Sequence, residues 1–433
     1  MYKAKLQESV AAAWPKFFRY KPGSHDFRKL DGKADLYIYF YLHGLSLLNA
    51  RGSFCFITSN SWLDVGYGAD LQEFLLKHSH VKLILDNEKK RSFAQADVNT
   101  IIALLAPPDD RSETGLDKVA RFVMFKAPFE EILNAGTFKA IETATERQST
   151  DKWRICVLSQ RQLLEAGLDT GEDEGEESPA PKKKTSGPLI KTDRYLGNKW
   201  GGKYLRAPDI YFQILDKNRE HLRRLGAVCR VEGYIHDNNT GHAFPKVHFI
   251  KSVKDTDRIA IARNSAGVIL YGVKTTGNSR LVAPILFPRT LGERHVIIWN
   301  PEGVLGKEFY KVLPKDADFA VSVAAQLNST FGILQRELIG LVNLGEGGLK
   351  FSANDVKLFV LSTVIAPSQI RYSFFAVANR PALPIMEEIH QPDRRALDEV
   401  VFDVLGLTAG EREAVYEAVV ELVRARLEKA RSV

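Results

Sequence analysis

A chain of 433 residues is too long for one ordinary domain, so its length predicts two or three units. Hydrophobic residues make up 45% of the chain and charged residues 26%, a globular composition that allows proper cores. The net charge is +7, and no apolar run approaches the ~20 residues that cross a bilayer, so we expect no membrane-spanning segment.

Cysteine and histidine spacing excludes the common metal sites. Cys55, Cys156 and Cys229 lie far apart and form no CxxC pair, so they predict neither a zinc site nor a disulfide framework. The histidines show no HxxxH or HExxH pattern, and we predict no metal. Sparse cysteines and the lack of an apolar leader fit a reducing cytoplasm, where we expect the protein to be.

Alternating helices and strands fill the first 160 residues. Asp35–Asn49 predicts a largely buried helix, Ser53–Ser59 a short apolar strand, and Tyr67–His78 an amphipathic helix. Val81–Asn87 and Val98–Ala106 are two further apolar strands, and the short charged stretch between them suits a hairpin at a sheet edge. Helices between apolar strands predict an α/β layered sheet over residues 1–160.

The composition changes sharply at Gly167–Gly187, where an acidic block is followed by prolines and three lysines. Nothing there can fill a core, so we expect a charged, disordered linker over residues 161–187. Residues 188–366 contain strand-like runs such as Val268–Val273 and His295–Asn300, separated by Gly, Pro, Asn and Thr. This pattern of short runs and turn residues predicts an α+β or mostly β domain, in which one helix runs through AVSVAAQLNSTFGILQREL.

The last segment, residues 367–433, is predicted to be helical. Asp393–Leu405 carries one apolar stripe, and Gly406 stands where a C-terminal cap belongs. Thr408 and Glu411 have the spacing of a capping box that begins the last helix.

Charge is concentrated in the middle of the chain. From Pro188 to Asn300 there are 19 Lys and Arg against 9 Asp and Glu, a local excess of +10. A basic segment in a near-neutral protein indicates a polyanion surface, most often for nucleic acid. A solvated face would have the same composition, so charge alone leaves both interpretations open.

Ala34–Ala106 combines five features in a fixed order: a helix beginning DLY, a strand followed by Asn60-Ser-Trp-Leu, an amphipathic helix, a strand, and a Phe before a final strand. In this order they resemble the second half of the catalytic domain of Taq-type and type IIG-like (Eco57I-like) restriction-modification adenine-N6 DNA methyltransferases. Tyr195–Leu215, Ala283–Asn300 and Leu327–Leu361 are similar to the target-recognition domain of these enzymes, and Arg394–Arg426 to their helical end.

The resemblance implies a partial class I methyltransferase Rossmann-like sheet in residues 1–160 and a target-recognition domain in residues 188–366. A helical C-terminal segment would follow in residues 367–433. It further implies S-adenosylmethionine as the family's cofactor and double-stranded DNA as a partner.

The catalytic motif of the family is absent from this sequence. The only Pro-Pro pair, Pro107-Pro108, follows Ala106 and is not the Asn/Asp-Pro-Pro-Tyr/Phe motif, and no Gly-rich strand–helix turn precedes Asp35. In the family that motif accepts the hydrogens of the target amine and stacks on the flipped base. We therefore assign no catalytic residue and expect neither methylation nor full cofactor binding from this chain alone.

Three interpretations of the missing motif stay open. The chain could act with a partner polypeptide that carries the N-terminal methyltransferase half, as a non-catalytic DNA specificity module, or as the remnant of a split gene. In the first case we expect the strand Ser53–Ser59 to present an apolar edge to the missing neighbour.

The resemblance assigns candidate site residues in the first domain. Phe93 matches the aromatic residue that stacks on the flipped adenine, although a core Phe before a strand is the plain alternative. Asn60 follows a strand at the end where α/β sheets place ligands, and we expect it to line a pocket. Asp35 is a second pocket candidate, or equally an N-terminal helix charge.

Basic residues in the middle of the chain are candidate DNA contacts. Lys199, Lys203 and Arg206 alternate with aromatic residues in a Gly-rich stretch and suit phosphate contact, or else a solvated strand between domains. Lys274, Arg280 and Arg289 stand near predicted strand ends in the recognition domain, and arginine can read guanine through two hydrogen bonds.

Overall fold

The computed structural model describes residues 2–89, 99–107, 113–168, 195–233, 246–272, 282–342 and 347–431. The chain divides into two compact units, the first comprising Met1–Thr170 and Ile190–Ala207, the second Gly171–Leu189 and Pro208–Val433. Both mix helices and strands, so a mixed α/β protein with several sheets is confirmed. The first unit extends to Ala207, and the second includes the helical C-terminal segment.

The first unit contains short helices around one sheet. Its helices are α1 (Tyr2–Ala13), α2 (Pro15–Phe18), α3 (Leu36–Ser46), α4 (Gly68–His78), α5 (Phe129–Ile132), α6 (Ala135–Thr143) and α7 (Gln160–Glu165). Its strands are β1 (Phe54–Ser59), β2 (His80–Asn87), β3 (Thr100–Ala106), β4 (Val119–Phe125), β5 (Gln148–Ser149) and β6 (Trp153–Ser159). Part of the predicted linker, residues 161–168, belongs to α7 and the turn after it, while residues 169–187 lie outside the described residues.

The sheet of the first unit has six strands in the order β1-β3-β2-β4-β6-β5. β3 lies antiparallel between β1 and β2, and β2 continues in parallel with β4. The hairpin predicted for a sheet edge therefore lies inside the sheet, because β1 pairs along one side of it and β4 along the other. β1 forms one edge of the sheet in the described part of the chain.

Alternate residues of β4 face opposite sides of this sheet. Val123 packs into a cluster with the apolar side chains of α5 and α6. Phe122 instead contacts the rings of Trp200 and Tyr204, with centroids 5.5 and 5.2 Å away. The segment Tyr195–Ala207 thus contributes core residues to the first unit.

The helix α3 is less buried than its apolar sequence predicts. One face packs inward through the buried residues Ile38, Tyr39, Tyr41, Leu42 and Leu45. On the opposite face, Phe40 is 49% exposed and Leu47 73% exposed. A helix that is apolar all round can therefore lie at the surface here, with one apolar stripe uncovered in the described part of the chain.

The second unit carries small sheets and a helical C-terminal part. Its strands are β7 (Leu222–Arg224), β8 (Cys229–Glu232), β9 (Lys246–Ile250), β10 (Ile269–Gly272), β11 (Ile285–Pro288), β12 (Thr290–Leu291), β13 (Ile298–Trp299), β14 (Leu305–Gly306), β15 (Phe309–Pro314), β16 (Leu341–Val342), β17 (Leu349–Lys350) and β18 (Val360–Ser362). Their sheet orders are β10-β9-β14, β13-β11-β15-β8, β12-β17-β16 and β18-β7.

The helices of the second unit are α8 (Asp209–Lys217), α9 (Leu225–Val228), α10 (Ala320–Asn328), α11 (Thr330–Ile339), α12 (Ala353–Lys357), α13 (Pro367–Ala378), α14 (Ile385–Glu388), α15 (Pro392–Val404) and α16 (Ala409–Arg431). The single helix predicted over residues 320–338 is in fact two, α10 and α11. Ser329 breaks it by taking an extended conformation, and its hydroxyl caps α11 by accepting from the N–H of Gly332 at 3.1 Å.

The two helix caps predicted for the last segment are confirmed. Gly406 has φ 62° after α15, as its role as a C-terminal cap requires. Glu411 Oε2 accepts from the N–H of Thr408 at 2.9 Å, and the N–H of Glu411 donates back to Thr408 Oγ1 at 3.4 Å. This reciprocal pair is the predicted capping box of α16.

Membrane-spanning helices and metal-ligand clusters are both absent from the described residues. None of their helices has both the length and the apolar character to cross a membrane. No group of three His, Cys, Asp or Glu side chains among them is placed to hold a metal ion. All three cysteines are free thiols.

Candidate functional site

Polar residues gather where β1 ends. The 3-10 turn Asn60–Leu63 follows the strand directly, and the hydroxyl of Ser59 caps it by accepting from the N–H of Ser61 at 3.3 Å. The N–H of Asn60 donates to the carbonyl of Asn99 at 2.9 Å, which holds the turn beside the start of β3. The side chain of Asn60 is half-buried. The carboxyl end of a sheet strand is the usual place for a ligand in α/β proteins.

Two tyrosines add hydroxyl groups to this turn. Tyr37 of α3 and Tyr67 before α4 are joined through their hydroxyls at 2.9 Å. Burial raises the pKa of both phenols above the ordinary value of 10.0. The Ser59 hydroxyl opposes this rise in the pKa of Tyr37, and the Ser61 hydroxyl opposes it for Tyr67, but burial dominates. Both phenols are therefore neutral at physiological pH, where they offer hydrogen bonds and no negative charge.

Asp35 lies beside this hydroxyl pair as the N-cap of α3. Its carboxylate accepts from the N–H of Leu36 at 2.6 Å, and the helix dipole favours its charge. Besides burial, the negative charge of Asp35 raises the pKa of Tyr37 and Tyr67, so the three groups are close together. The structure thus brings Asp35 to the same end of β1 as the turn that begins at Asn60.

Trp62 anchors the turn in the core. Its side chain is fully buried, and its ring lies 5.7 Å from the rings of Tyr41 and Trp200. At Gly68 an added Cβ would lie 1.9 Å from the carbonyl oxygen of Trp62, so glycine is required where α4 begins. Gln72 of α4 donates to the same carbonyl at 3.1 Å, which fixes the turn against the helix.

This arrangement suits binding of a planar polar group and supplies no set of catalytic residues. The hydroxyls and the Asn60 amide can donate and accept hydrogen bonds at a half-buried surface. The sequence lacks both the Asn/Asp-Pro-Pro-Tyr/Phe motif and the Gly-rich loop that hold the amine and the cofactor in the resembling family. The residues present therefore do not fit S-adenosylmethionine by themselves, and we derive no methyl-transfer step from them.

The three cations of the Gly-rich stretch are engaged inside the first unit. Lys199 is buried, and its ammonium donates to the carbonyl of Asp64 at 2.5 Å. Arg206 Nη1 lies 3.0 Å from Asp64 Oδ2, and Lys203 Nζ donates to Asn198 Oδ1 at 2.6 Å. These contacts give the side chains structural partners, while their contact with phosphate stays a prediction.

Asp64 is an organising residue that sequence reasoning missed. Its Oδ1 accepts from the N–H of Gly202 at 3.0 Å, in the π-helical turn Gly201–Arg206. An added Cβ on Gly201 would lie 2.4 Å from Asp64 Oδ2, so the approach requires glycine. The Gly-Gly pair was a visible signal, but the acid that it contacts is 138 positions away in the sequence.

Arg289 is held at the junction of β11 and β12 in the second unit. Its Nη1 lies 3.4 Å from Glu308 Oε2. Its N–H donates to the carbonyl of Glu308 at 2.8 Å, and its carbonyl accepts from the N–H of Phe351 at 2.9 Å. Its side chain is partly exposed, at 30%. The other predicted contacts, Phe93, Lys274 and Arg280, lie outside the described residues.

Two solved structures resemble nearly the whole chain at low identity. The type IIG restriction endonuclease BpuSI matches with a TM-score of 0.43 and 11% identity, over 99% of this chain and 53% of that chain. The type IIL restriction-modification enzyme MmeI, solved in complex with DNA, matches with a TM-score of 0.45 and 12% identity, over 97% and 55%. The chain spans about half the length of these enzymes.

A family model matches part of the chain. No curated protein sequence matches this chain. Residues 16–93 match the model described as Eco57I restriction-modification methylase. This segment contains α3, β1, the turn Asn60–Leu63 and α4, and therefore the candidate site. The resemblance seen in the sequence is thus confirmed, and residues 16–93 are similar to the Eco57I restriction-modification methylase family.

Proposed function

We propose that this chain is the DNA-binding, sequence-recognition portion of a restriction-modification adenine-N6 DNA methyltransferase. The observation that carries the proposal is the family match over residues 16–93, which includes the polar turn at the end of β1. In this proposal the first unit is the later part of a class I methyltransferase Rossmann-like sheet. The recognition domain predicted for residues 188–366 would lie mostly in the second unit, followed by its helical end.

The polar turn would line the pocket for the flipped adenine or the cofactor. Asn60 and Asp35 are the pocket residues, and Tyr37 and Tyr67 supply neutral hydroxyls beside them. Phe93 would stack on the flipped base, an interaction worth about 1–3 kcal/mol. Geometry around Asp35 supports its helix-capping role as well, because its carboxylate accepts from the N–H of Leu36.

Catalysis in this proposal needs a partner polypeptide. The sequence lacks the motif that localises the lone pair of the adenine amine and the loop that holds S-adenosylmethionine. β1 forms a sheet edge in the described residues, where Cys55 and Ile57 are exposed. Such an edge offers backbone hydrogen bonds and apolar area to a further strand. The partner would supply that strand together with the missing motifs.

The second unit would read the DNA sequence in the reducing cytoplasm. Arg289, Lys274 and Arg280 are its candidate contacts, and a base-reading arginine is worth about 1–3 kcal/mol of discrimination. The basic excess of +10 over residues 188–300 supports a polyanionic partner. Free thiols at all three cysteines are compatible with a reducing compartment.

A methyl-transfer assay tests the catalytic half of the proposal. The purified chain is incubated with labelled S-adenosylmethionine and mixed duplex DNA, and incorporation into adenine is counted. We expect none above a no-protein control. Robust incorporation by the chain alone would contradict the need for a partner.

The second candidate is a DNA specificity module that never joins a catalytic partner. The absence of both catalytic motifs favours it, since a binding module needs neither. Co-purification from the native host separates the two candidates. A bound polypeptide that contains an Asn-Pro-Pro-Tyr-like motif supports the methyltransferase, and recovery of the chain on DNA without one supports the module.

A further inference from the structure

The short helix α2 and the loop that follows it present exposed positive charges. Lys16, Arg19, Lys21 and Lys29 are all exposed. Within the described residues, none of these four side chains forms an ion pair with an acid. We call residues 15–29 the α2 loop.

Arg28 in the same loop has a different role. Its Nη2 lies 2.8 Å from Asp70 Oδ1 and 2.6 Å from Glu73 Oε2, so its charge is neutralised by α4. Its N–H donates to the carbonyl of Phe18 at 2.8 Å, which closes the loop onto α2. Arg28 therefore fixes the loop to the first unit and leaves the other cations at the surface.

A second attachment holds the end of the loop to α1. Gln7 Nε2 donates to the carbonyl of Leu30 at 3.1 Å, and Gln7 Oε1 accepts from the N–H of Leu30 at 3.1 Å. Gln7 and Leu30 are both buried. The exposed cations are thus carried on a loop whose ends are fixed. Less conformational entropy of the loop is then lost when it binds a partner.

The same stretch contains a pair of packed aromatic rings. Tyr20 and Phe27 meet edge to face with centroids 5.3 Å apart, and Lys29 Nζ lies 5.5 Å from the centroid of Phe27. Arg19 and Lys21 flank Tyr20 in the chain. Arg19 also caps α2 with φ 52°, where its N–H donates to the carbonyl of Lys16. Lys29 thus lies against the aromatic pair, and Arg19 and Lys21 adjoin Tyr20 in the chain.

Acidic residues do not balance this group. Asp26 is the one acid among residues 15–29. Four exposed cations against one acid leave this stretch with a net positive charge, which attracts a polyanion. Because both rings are half-buried and packed on each other, the surface has no protruding apolar side chain of the kind that inserts into a membrane.

We propose that the α2 loop contacts the phosphate backbone of duplex DNA, so that the first unit has its own DNA-contact surface outside the recognition residues. The inference rests on the proposed function, because it places one part of the same DNA on the first unit. Lysines at this surface would neutralise phosphates of any sequence. They would add affinity and salt dependence without adding base discrimination.

The test compares two triple variants of the full chain. In the first, Lys16→Gln, Lys21→Gln and Lys29→Gln remove charges from the α2 loop. Arg19 is kept because of its positive φ. The matched control carries Arg51→Gln, Lys139→Gln and Lys152→Gln, which remove the same charge from exposed positions elsewhere in the first unit. Thermal unfolding checks that both variants fold as the wild type does.

Affinity for a short duplex is then measured against salt concentration. Each phosphate contact contributes about 0.9 to the slope of log K against log salt, so we expect the α2-loop variant to lose up to about 2.7. The control should lose much less. An unchanged slope in a chain that still binds DNA overturns the inference and leaves the proposed function intact.

Two further outcomes are decisive. If the wild-type chain binds no duplex at low salt, both the inference and the proposed DNA recognition fail. The second outcome comes from measuring how the wild type and the α2-loop variant bind vesicles that contain phosphatidylserine. If the α2-loop variant loses vesicle binding but keeps its DNA slope, the surface serves a membrane and the inference is overturned.

Discussion

Glu337 of α11 and Arg426 of α16 form a double ion pair inside the second unit. Arg426 Nε lies 2.9 Å from Glu337 Oε2, and Arg426 Nη2 lies 2.8 Å from Glu337 Oε1. Both side chains are only 2% exposed. Arg426 also donates to the carbonyl of Gly347, and His295 Nε2 lies 3.3 Å from Glu337 Oε1. One arginine of the last helix therefore connects α11 with a glycine turn.

Removing one member of this pair should destabilise the second unit strongly. Glu337→Gln leaves the buried Arg426 charge uncompensated, a change that costs about 3–5 kcal/mol. Urea unfolding of the variant measures the loss. Arg424→Gln is the matched control on the exposed side of α16 and should stay within about 0.5 kcal/mol. Equal stability of the two variants would contradict the assigned role of the pair.

Acid should weaken the same region through His295. Burial lowers its pKa from 6.5 to about 4, against the opposing effect of Glu337. The fold therefore favours the neutral imidazole, and stability that is complete above pH 6.5 is lost as pH falls toward 4. The loss is on the order of 3–4 kcal/mol, because each unit of pKa shift corresponds to about 1.4 kcal/mol.

His295→Gln isolates this contribution. His78 and His80 also have lowered pKa values because they are partly buried, so more than one histidine contributes to the wild-type pH profile. The difference between wild type and variant in urea unfolding, followed from pH 7 to pH 5, should shrink as pH falls. A difference that is constant across this range would show that His295 does not titrate with folding.

Lys199 should contribute to folding more than to DNA affinity. Lys199→Met removes the charged donor to the Asp64 carbonyl, and such hydrogen bonds are worth about 1.5–3 kcal/mol. We expect a lower unfolding temperature and an unchanged salt slope of duplex binding. Lys152→Met, at an exposed position, is the control. An unchanged unfolding temperature with a lower slope would instead support the phosphate contact predicted from the sequence.

We expect Gly68 to tolerate no side chain and Gly66, two residues earlier, to tolerate one. Gly68→Ala places a Cβ 1.9 Å from the Trp62 carbonyl, and relief of such overlap typically costs about 1–3 kcal/mol. A Cβ at Gly66 meets nothing within 4 Å. Thermal unfolding of the two alanine variants compares them directly, and equal stability would mean that the turn after β1 is looser than described.

Sequence reasoning succeeded where the signal was local. The strands predicted at Ser53–Ser59 and Val81–Asn87 are β1 and β2 with ends shifted by one residue. The capping box of Thr408 and Glu411 is likewise complete within four residues. Apolar periodicity and helix caps act between neighbours in the chain, so they can be recognised without the fold.

Sequence reasoning could not identify partners that are distant in the chain. Lys199 and Arg206 have the composition of a DNA-binding stretch, but the structure pairs them with Asp64, 135 and 142 positions away. The hydroxyl pair of Tyr37 and Tyr67 was missed for the same reason, since 30 positions separate them. Charge content reveals that a cation exists, and only the tertiary fold decides what neutralises it.

Selection from randomised duplex DNA tests the central claim most directly. The purified chain is equilibrated at low salt with a pool of short random duplexes, and the bound DNA is sequenced over successive rounds. We predict enrichment of one motif that contains an adenine, and a relaxed preference at one base pair in the Arg289→Ala variant if Arg289 reads that base. A bound pool that stays random, or no DNA retained at all, would contradict sequence recognition by this chain.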